Sequence, residues 1–237
     1  MSHTRFSFAI VTLGVLFAAT LLPAATVTGT VKFDGPAPTM KPLQMDADPG
    51  CAKKHATAPL AEALVLGDGQ TMANVYVRIK SGLPTKTWPV PAEAVVLDQH
   101  GCQYLPHVVG VMTGQKFKVL NSDGLLHNVH ALPKINSEFN RAMPAAVKEA
   151  EYTFDKEEIM FKVKCDVHPW MGAYVSVTSH PFFDVTGTDG KFKIDGLPAG
   201  TYEVEVWHER LKNQTAKVTV SEGDTKSVDF TYTKPGS

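Results

Sequence analysis

Apolar and polar residues alternate with a period of two along most of the chain, and no long stretch carries the spacing of an amphipathic helix. Alternation predicts strands over 25–33 (ATVTGTVKF), 73–79, 93–99 and 127–132, and 108–123 reads as two strands either side of Thr113-Gly114. Two more are predicted over 157–165 and 172–179. Met40 to Gly69 is irregular, broken by Pro49, Gly50 and Pro59, and Asn136 to Lys148 is expected to hold a short helix. Such a pattern fits an antiparallel sandwich of about 7–9 strands.

The texture changes after His180-Pro181. The alternation tightens, Asp189-Gly190 reads as a hairpin turn, Leu197 to Gly200 as a second turn, and Glu222-Gly223-Asp224 separates two further strands. The expected fold class is therefore all-β, with a first sandwich over 26–180 (26–94 being its less patterned extension) and a smaller sandwich over 181–237. A 57-residue unit buries little core, so it is expected to pack on the first domain or to borrow a strand. TVTGTVKFDGPAP, near the start, is the candidate strand.

Composition adds little to this picture: 43% hydrophobic, 20% charged, formal net charge −1. No basic face is implied, which argues against nucleic acid as a partner. Residues 1–25 carry more information. Arg5, an apolar run from Phe6 to Leu22 and then small residues predict a secretory signal peptide cut near Ala24 to Thr26. A retained anchor is the competing reading, but the run falls short of the roughly 20 apolar residues that span a bilayer. The expected location is periplasmic or otherwise extracytoplasmic, without stable membrane insertion after cleavage.

Export bears on the three cysteines, because an oxidising space favours pairing and an odd number leaves one over. Cys51 and Cys102 lie in glycine-flanked, loop-like settings, whereas Cys165 sits among donors in CDVHPWM. A Cys51–Cys102 disulfide and a free Cys165 are predicted, against three reduced thiols. The competing use of Cys51, His55, His100, Cys102 and His107 is a second metal site. CAKKH is not a haem-attachment stretch.

Cys165, His168 and Met171 return a thiolate, an imidazole and a thioether on one short loop. One more imidazole would complete a trigonal His₂Cys set with a weak axial methionine, the geometry of a blue-copper electron-transfer centre. NSDGLLHNVH supplies it at His127 or His130. Zinc fits less well, since it rarely takes a thioether. A binuclear copper site would need a second cysteine in the loop, which Asp166 and Val167 do not provide.

KFKVLNSDGLLHNVH followed by FKVKCDVHPWM resembles the two ligand regions of the cupredoxins, the type 1 blue-copper family, in their amicyanin- or plastocyanin-like form. The likeness covers roughly 95–178. It implies a Greek-key sandwich that holds one copper ion, Cu(II) or Cu(I), through His127, Cys165, His168 and Met171. Asn128 would tie the histidine strand to the cysteine loop. Leu126 stands where the amicyanin-like pattern has proline. The resemblance also implies electron transfer to a transient redox protein partner, with His168, Pro169 and Trp170 forming the solvent-facing exit. His130, three positions from His127, would point to the opposite face and is read as structural.

TDGKFKIDGLPAGTYEVEVWH resembles the carboxypeptidase regulatory-like family, a transthyretin-like β-sandwich, through turn residues and Tyr202 that fix fold rather than chemistry. His180 and His208 are expected at strand ends, in solvent-exposed or capping roles. No G-x-S-x-G stretch or paired catalytic carboxylates appear, so the expectation is a protein that is not an enzyme. Copper storage or delivery, and a surface interaction module with a structural copper, are the competing functions.

Overall fold

The computed structural model describes residues 24–233; the expected signal peptide lies outside them except for its last two residues. No helix among the described residues is long and apolar enough to cross a membrane. The regular secondary structure of the described residues is almost all strand: β1 (Ala25–Asp34), β2 (Tyr76–Ser81), β3 (Val95–His100), β4 (Gln103–Leu105), β5 (Val108–Met112), β6 (Phe117–Asn121), β7 (His127–Leu132), β8 (Phe139–Met143) and β9 (Glu149–Tyr152). There follow β10 (Glu158–Lys164), β11 (Gly172–Thr178), β12 (Phe183–Val185), β13 (Lys191–Leu197), β14 (Gly200–Trp207), β15 (Gln214–Val220), β16 (Thr225–Ser227) and β17 (Phe230–Thr233). One α-helical turn, α1 (Pro49–Ala52), and a 3₁₀ turn (Asp68–Gln70) interrupt the long loop between β1 and β2.

The first sandwich packs the sheet β5-β11-β10-β7-β8 on the sheet β4-β3-β6-β9. Its core is filled from alternate positions, among them Leu97, Phe117, Val119, Val129, Phe161, Val163 and Val175. The parallel pairs β5/β11 and β3/β6 require crossovers between the sheets, as a Greek key does. The helix expected between Asn136 and Lys148 is instead β8, an edge strand on β7 with His127 opposite Met143. Helical spacing would scatter its apolar residues. As a strand the segment buries Met143 in the core and stacks Phe139 on Tyr152 at 3.7 Å.

The second sandwich joins β12-β2-β14-β15 to a sheet in which β1 is the middle strand. β1 runs antiparallel to β13 and parallel to β16 and then β17, so the N-terminal strand is the borrowed one. β2 is taken as well, pairing with β12 and β14. This corrects the expected partition, which put 26–94 with the first domain. The physical cause is core volume: Val27, Val31, Phe33, Val75, Val77 and Ile79 fill the second cluster, which the C-terminal strands alone would leave open. Asp189-Gly190 is a turn but not a hairpin, because β12 and β13 lie in different sheets. Gly29 lies between β13 and the chain after β16: a Cβ there would meet the Val228 carbonyl oxygen at 2.0 Å.

The sandwiches touch through β5, which is buried along its whole length. A Cβ on Gly110 would lie 2.4 Å from the Phe183 ring and 3.0 Å from that of Tyr76, so the strand approaches the second sandwich only because this residue is glycine. The loop between β1 and β2 spans both units. It closes on itself at the bridge Pro42–Leu60, sends Met45 and Cys51 into the first core, and lays Leu64 and Leu66 on the second.

Candidate metal centre

Two strand ends meet at one pole of the first sandwich. β7 begins at His127, after the turn that holds Asp123 and Gly124, and β10 ends beside it with Lys164 opposite His130. Pairing of Lys164 with Gly172 closes residues 165–171 into a tight loop between β10 and β11. Inside it the Met171 N–H donates to the His168 carbonyl at 3.0 Å, and the Cys165 N–H donates to that of Met171 at 3.3 Å. The Cys165 sulfur receives the N–H groups of His168 at 3.4 Å and Asn128 at 3.5 Å. The loop is thus shaped around its own sulfur.

His127, Cys165 and His168 converge, with donor atoms all within 4.8 Å of one another. Nδ1 of His127 and Nδ1 of His168 stand 2.9 Å apart, and Cys165 Sγ lies 3.8 Å from the latter. Two ring nitrogens at that distance share a proton or face a common cation. Each ring is held at its far nitrogen by a carboxylate: His127 Nε2 by Asp123 Oδ2 at 2.9 Å, His168 Nε2 by Asp48 Oδ2 at 3.0 Å. A carboxylate there holds the proton on Nε2 and turns Nδ1 toward the centre, the arrangement common behind metal-bound histidines. Met171, the last residue of the loop, is buried in the first core.

Charges follow from this packing. Burial works to raise the Cys165 thiol, but the His127 ring and three backbone N–H groups outweigh it and hold the thiol below its usual range. Burial likewise opposes the charge on His127, yet hydrogen bonds to Asp123 and Cys165 push its pKa up to about 9. Asp123 is held far below the usual carboxylate range: desolvation is overcome by His127, Lys54 and the N–H groups of Gly101 and Cys102. The centre therefore presents a cysteine inclined to ionise beside a proton that a cation can replace.

Cys51 and Cys102 form the disulfide read from the sequence. They cannot supply thiolates, so the clusters Asp48–Cys51–His168 and Cys102–Asp123–His127 add no separate thiolate site, and His55 is engaged by the Gly101 carbonyl at 2.7 Å. Asn128 links the two ligand segments, its side-chain oxygen accepting from the Asp166 N–H and its Nδ2 donating to Asp166 at 3.2 Å. His130 faces away and lies between Asp166 and Glu138, each at 2.9 Å.

The solvent-facing exit is not there. His168 is only 2% exposed, its Nε2 on Asp48 and 3.6 Å from the Cys51 sulfur. Pro169 is exposed, and Trp170 is half-buried with its Nε1 donating to the Cys102 carbonyl at 3.1 Å. The reason is the loop between β1 and β2: the disulfide draws it across the pole, where α1 covers the ring. Asp48 and Asp123, the carboxylates against the two rings, are the site residues that sequence reasoning missed. The DPGC stretch marks a helix start, and Asp48 does cap α1 by accepting the Gly50 N–H at 2.7 Å, but its second oxygen leaves no trace in the pattern.

Fold and site together give an all-β chain of two sandwiches, with a buried His₂Cys cluster at one pole of the first and a carboxypeptidase regulatory-like stretch over its C-terminal part. Residues 166–233 match the family model of the carboxypeptidase regulatory-like domain. That match starts inside the donor loop and runs through β11, which belongs to the first sandwich, while the second draws β1 and β2 from outside it. Among solved structures, a copper(I) form of an amicyanin point mutant is 23% identical, covering 43% of this chain and 97% of its own, with a TM-score of 0.32. A copper-containing nitrite reductase from Thermus scotoductus SA-01 is 16% identical over 41% of this chain and 25% of its own, also at 0.32. No curated protein matches the chain.

Proposed function

We propose that this protein binds one copper ion through Nδ1 of His127, Nδ1 of His168 and the Cys165 sulfur, with the Met171 thioether as a weak fourth donor, and serves as an extracytoplasmic electron carrier. The observation that carries this reading is the 2.9 Å approach of two buried ring nitrogens beside a buried cysteine inclined to ionise. Thiolate and thioether favour Cu(I) while imidazoles retain Cu(II), so the set suits a copper ion that changes by one electron. Zinc would ask for a further thiolate or carboxylate in place of the thioether.

The chain's own part is to hold the donors still. Asp123 fixes the His127 ring, Asp48 fixes that of His168, and backbone N–H groups from Asn128 and His168 point at the sulfur. Donors positioned before the ion arrives need little rearrangement when its charge changes. The disulfide supports an oxidising compartment, in line with the leader read from residues 1–25. Its redox partner would bind transiently through a small contact.

A second reading, copper storage or delivery, is favoured by one observation: the covered His168 ring, which removes the shortest path from the ion to a docked protein. Titration with Cu(II) separates the two. The carrier shows an intense visible thiolate-to-copper band at one equivalent, bleached by reductant and restored by oxidant, and lost in Cys165→Ser. A protein that stays colourless and holds only Cu(I) is a store.

A further inference from the structure

We infer that residues 36–61 form a built-in cap on the donor cluster, and that Asp48 is the positioning residue through which the cap acts on the centre. The inference rests on the copper reading above for its spectroscopic part alone.

Asp48 divides its carboxylate. Oδ1 accepts the Gly50 N–H at 2.7 Å and so starts α1; Oδ2 meets His168 Nε2 at 3.0 Å. One side chain therefore couples the fold of the cap to the ring of a donor. The cap is pinned at several points. Its base closes at Pro42–Leu60, Met45 is buried in the first core, and Cys51 is joined to Cys102. Lys54 Nζ lies 3.1 Å from Asp123 Oδ1, and His55 Nε2 meets the Gly101 carbonyl. Gly50 packs on Leu125, whose methyl carbons would lie 3.1 and 3.3 Å from any added Cβ.

These anchors converge on Asp123, the carboxylate behind His127. It accepts the N–H groups of Gly101 and Cys102, both at 2.7 Å, and so holds the segment to which the cap is disulfide-bonded. The two donor rings are thus braced from one connected structure: Asp123 on the sandwich, Asp48 on the cap, with Lys54 and the disulfide between them. A lost ring partner behind a metal-bound histidine typically weakens metal binding about 10- to 100-fold. The Asp48 carboxylate also adds negative charge behind a copper ligand, which favours the more positive oxidation state.

Asp48→Asn keeps an oxygen for the Gly50 N–H but loses the charge and the acceptor for the His168 ring. In the copper-loaded full chain it is expected to raise the reduction potential, alter the thiolate-to-copper band, and speed copper removal by a chelator about tenfold or more. Asp48→Ser, also a helix cap, should do the same, which separates the ring contact from helix capping. A potential and a chelation rate equal to those of the parent in both variants overturn the role of Asp48.

The cap is tested on metal-free protein by acylating histidines with diethyl pyrocarbonate and locating the product by mass spectrometry. His168 should react slowly in the parent and much faster in Cys51→Ala/Cys102→Ala. Equal rates overturn the cap. A parent without a visible band contradicts the copper reading, and the acylation result still judges the cap.

Discussion

The two sandwiches are built alike, each from two small sheets around a cluster of valine, phenylalanine and tyrosine, and they differ in what they do with buried histidine. In the first, His127 and His168 meet each other, a cysteine and two carboxylates at one pole. In the second, His208 is buried near Tyr232, and burial, against the pull of Glu209, pushes its pKa down to about 4. Burial of an imidazole alone gives a neutral core residue. Convergence with a thiol, and a carboxylate at the far nitrogen of each ring, makes it the donor that the proposed copper site needs.

Changes at Cys165 should separate the two halves most sharply. Cys165→Ser should weaken copper binding by more than about a hundredfold, read by competitive titration, since it removes the only free thiol among the described residues. The second sandwich should keep its own stability in the same variant. Next comes the disulfide, which spans 51 positions. Removing it with Cys51→Ala/Cys102→Ala should cost about 4 kcal/mol by the loop-closure argument, seen in denaturant titration as a loss borne by the first sandwich.

The third prediction concerns the second sandwich and pH. His208 titrates near 6.5 when unfolded and about 4 when folded, so below pH 6.5 the unfolded chain takes up a proton that the folded chain refuses. Stability should fall by up to about 3 kcal/mol between pH 6.5 and 4, and His208→Asn should flatten that slope without touching copper binding. Denaturant titrations at pH 7 and 4.5 decide it. Smallest is Asn128→Ala, expected to destabilise by about 1–2 kcal/mol through the lost link to Asp166. It should also shift the copper band while leaving one ion bound.

Much of this was legible in the sequence because it is local or periodic. Alternation located most strands, Cys165, His168 and Met171 lie within one loop, and glycine-flanked Cys51 and Cys102 stood apart from the donor-rich cysteine. What could not be read was pairing over distance. β2 looks like any half-buried strand, and only its register against β14 assigns it to the second sandwich. Asn136 to Lys148 has too few apolar residues to betray its period, so packing on β7 decided its state. Asp48 is one carboxylate in an irregular loop; its contact with a ring 120 positions away depends on the disulfide that brings the loop across.

Copper-edge X-ray absorption on protein loaded with one equivalent of copper tests the central claim most directly. The account predicts one short sulfur bond and two imidazoles in the coordination shell, with the sulfur lost in Cys165→Ser. A shell of nitrogen and oxygen alone, unchanged by that substitution, would contradict it.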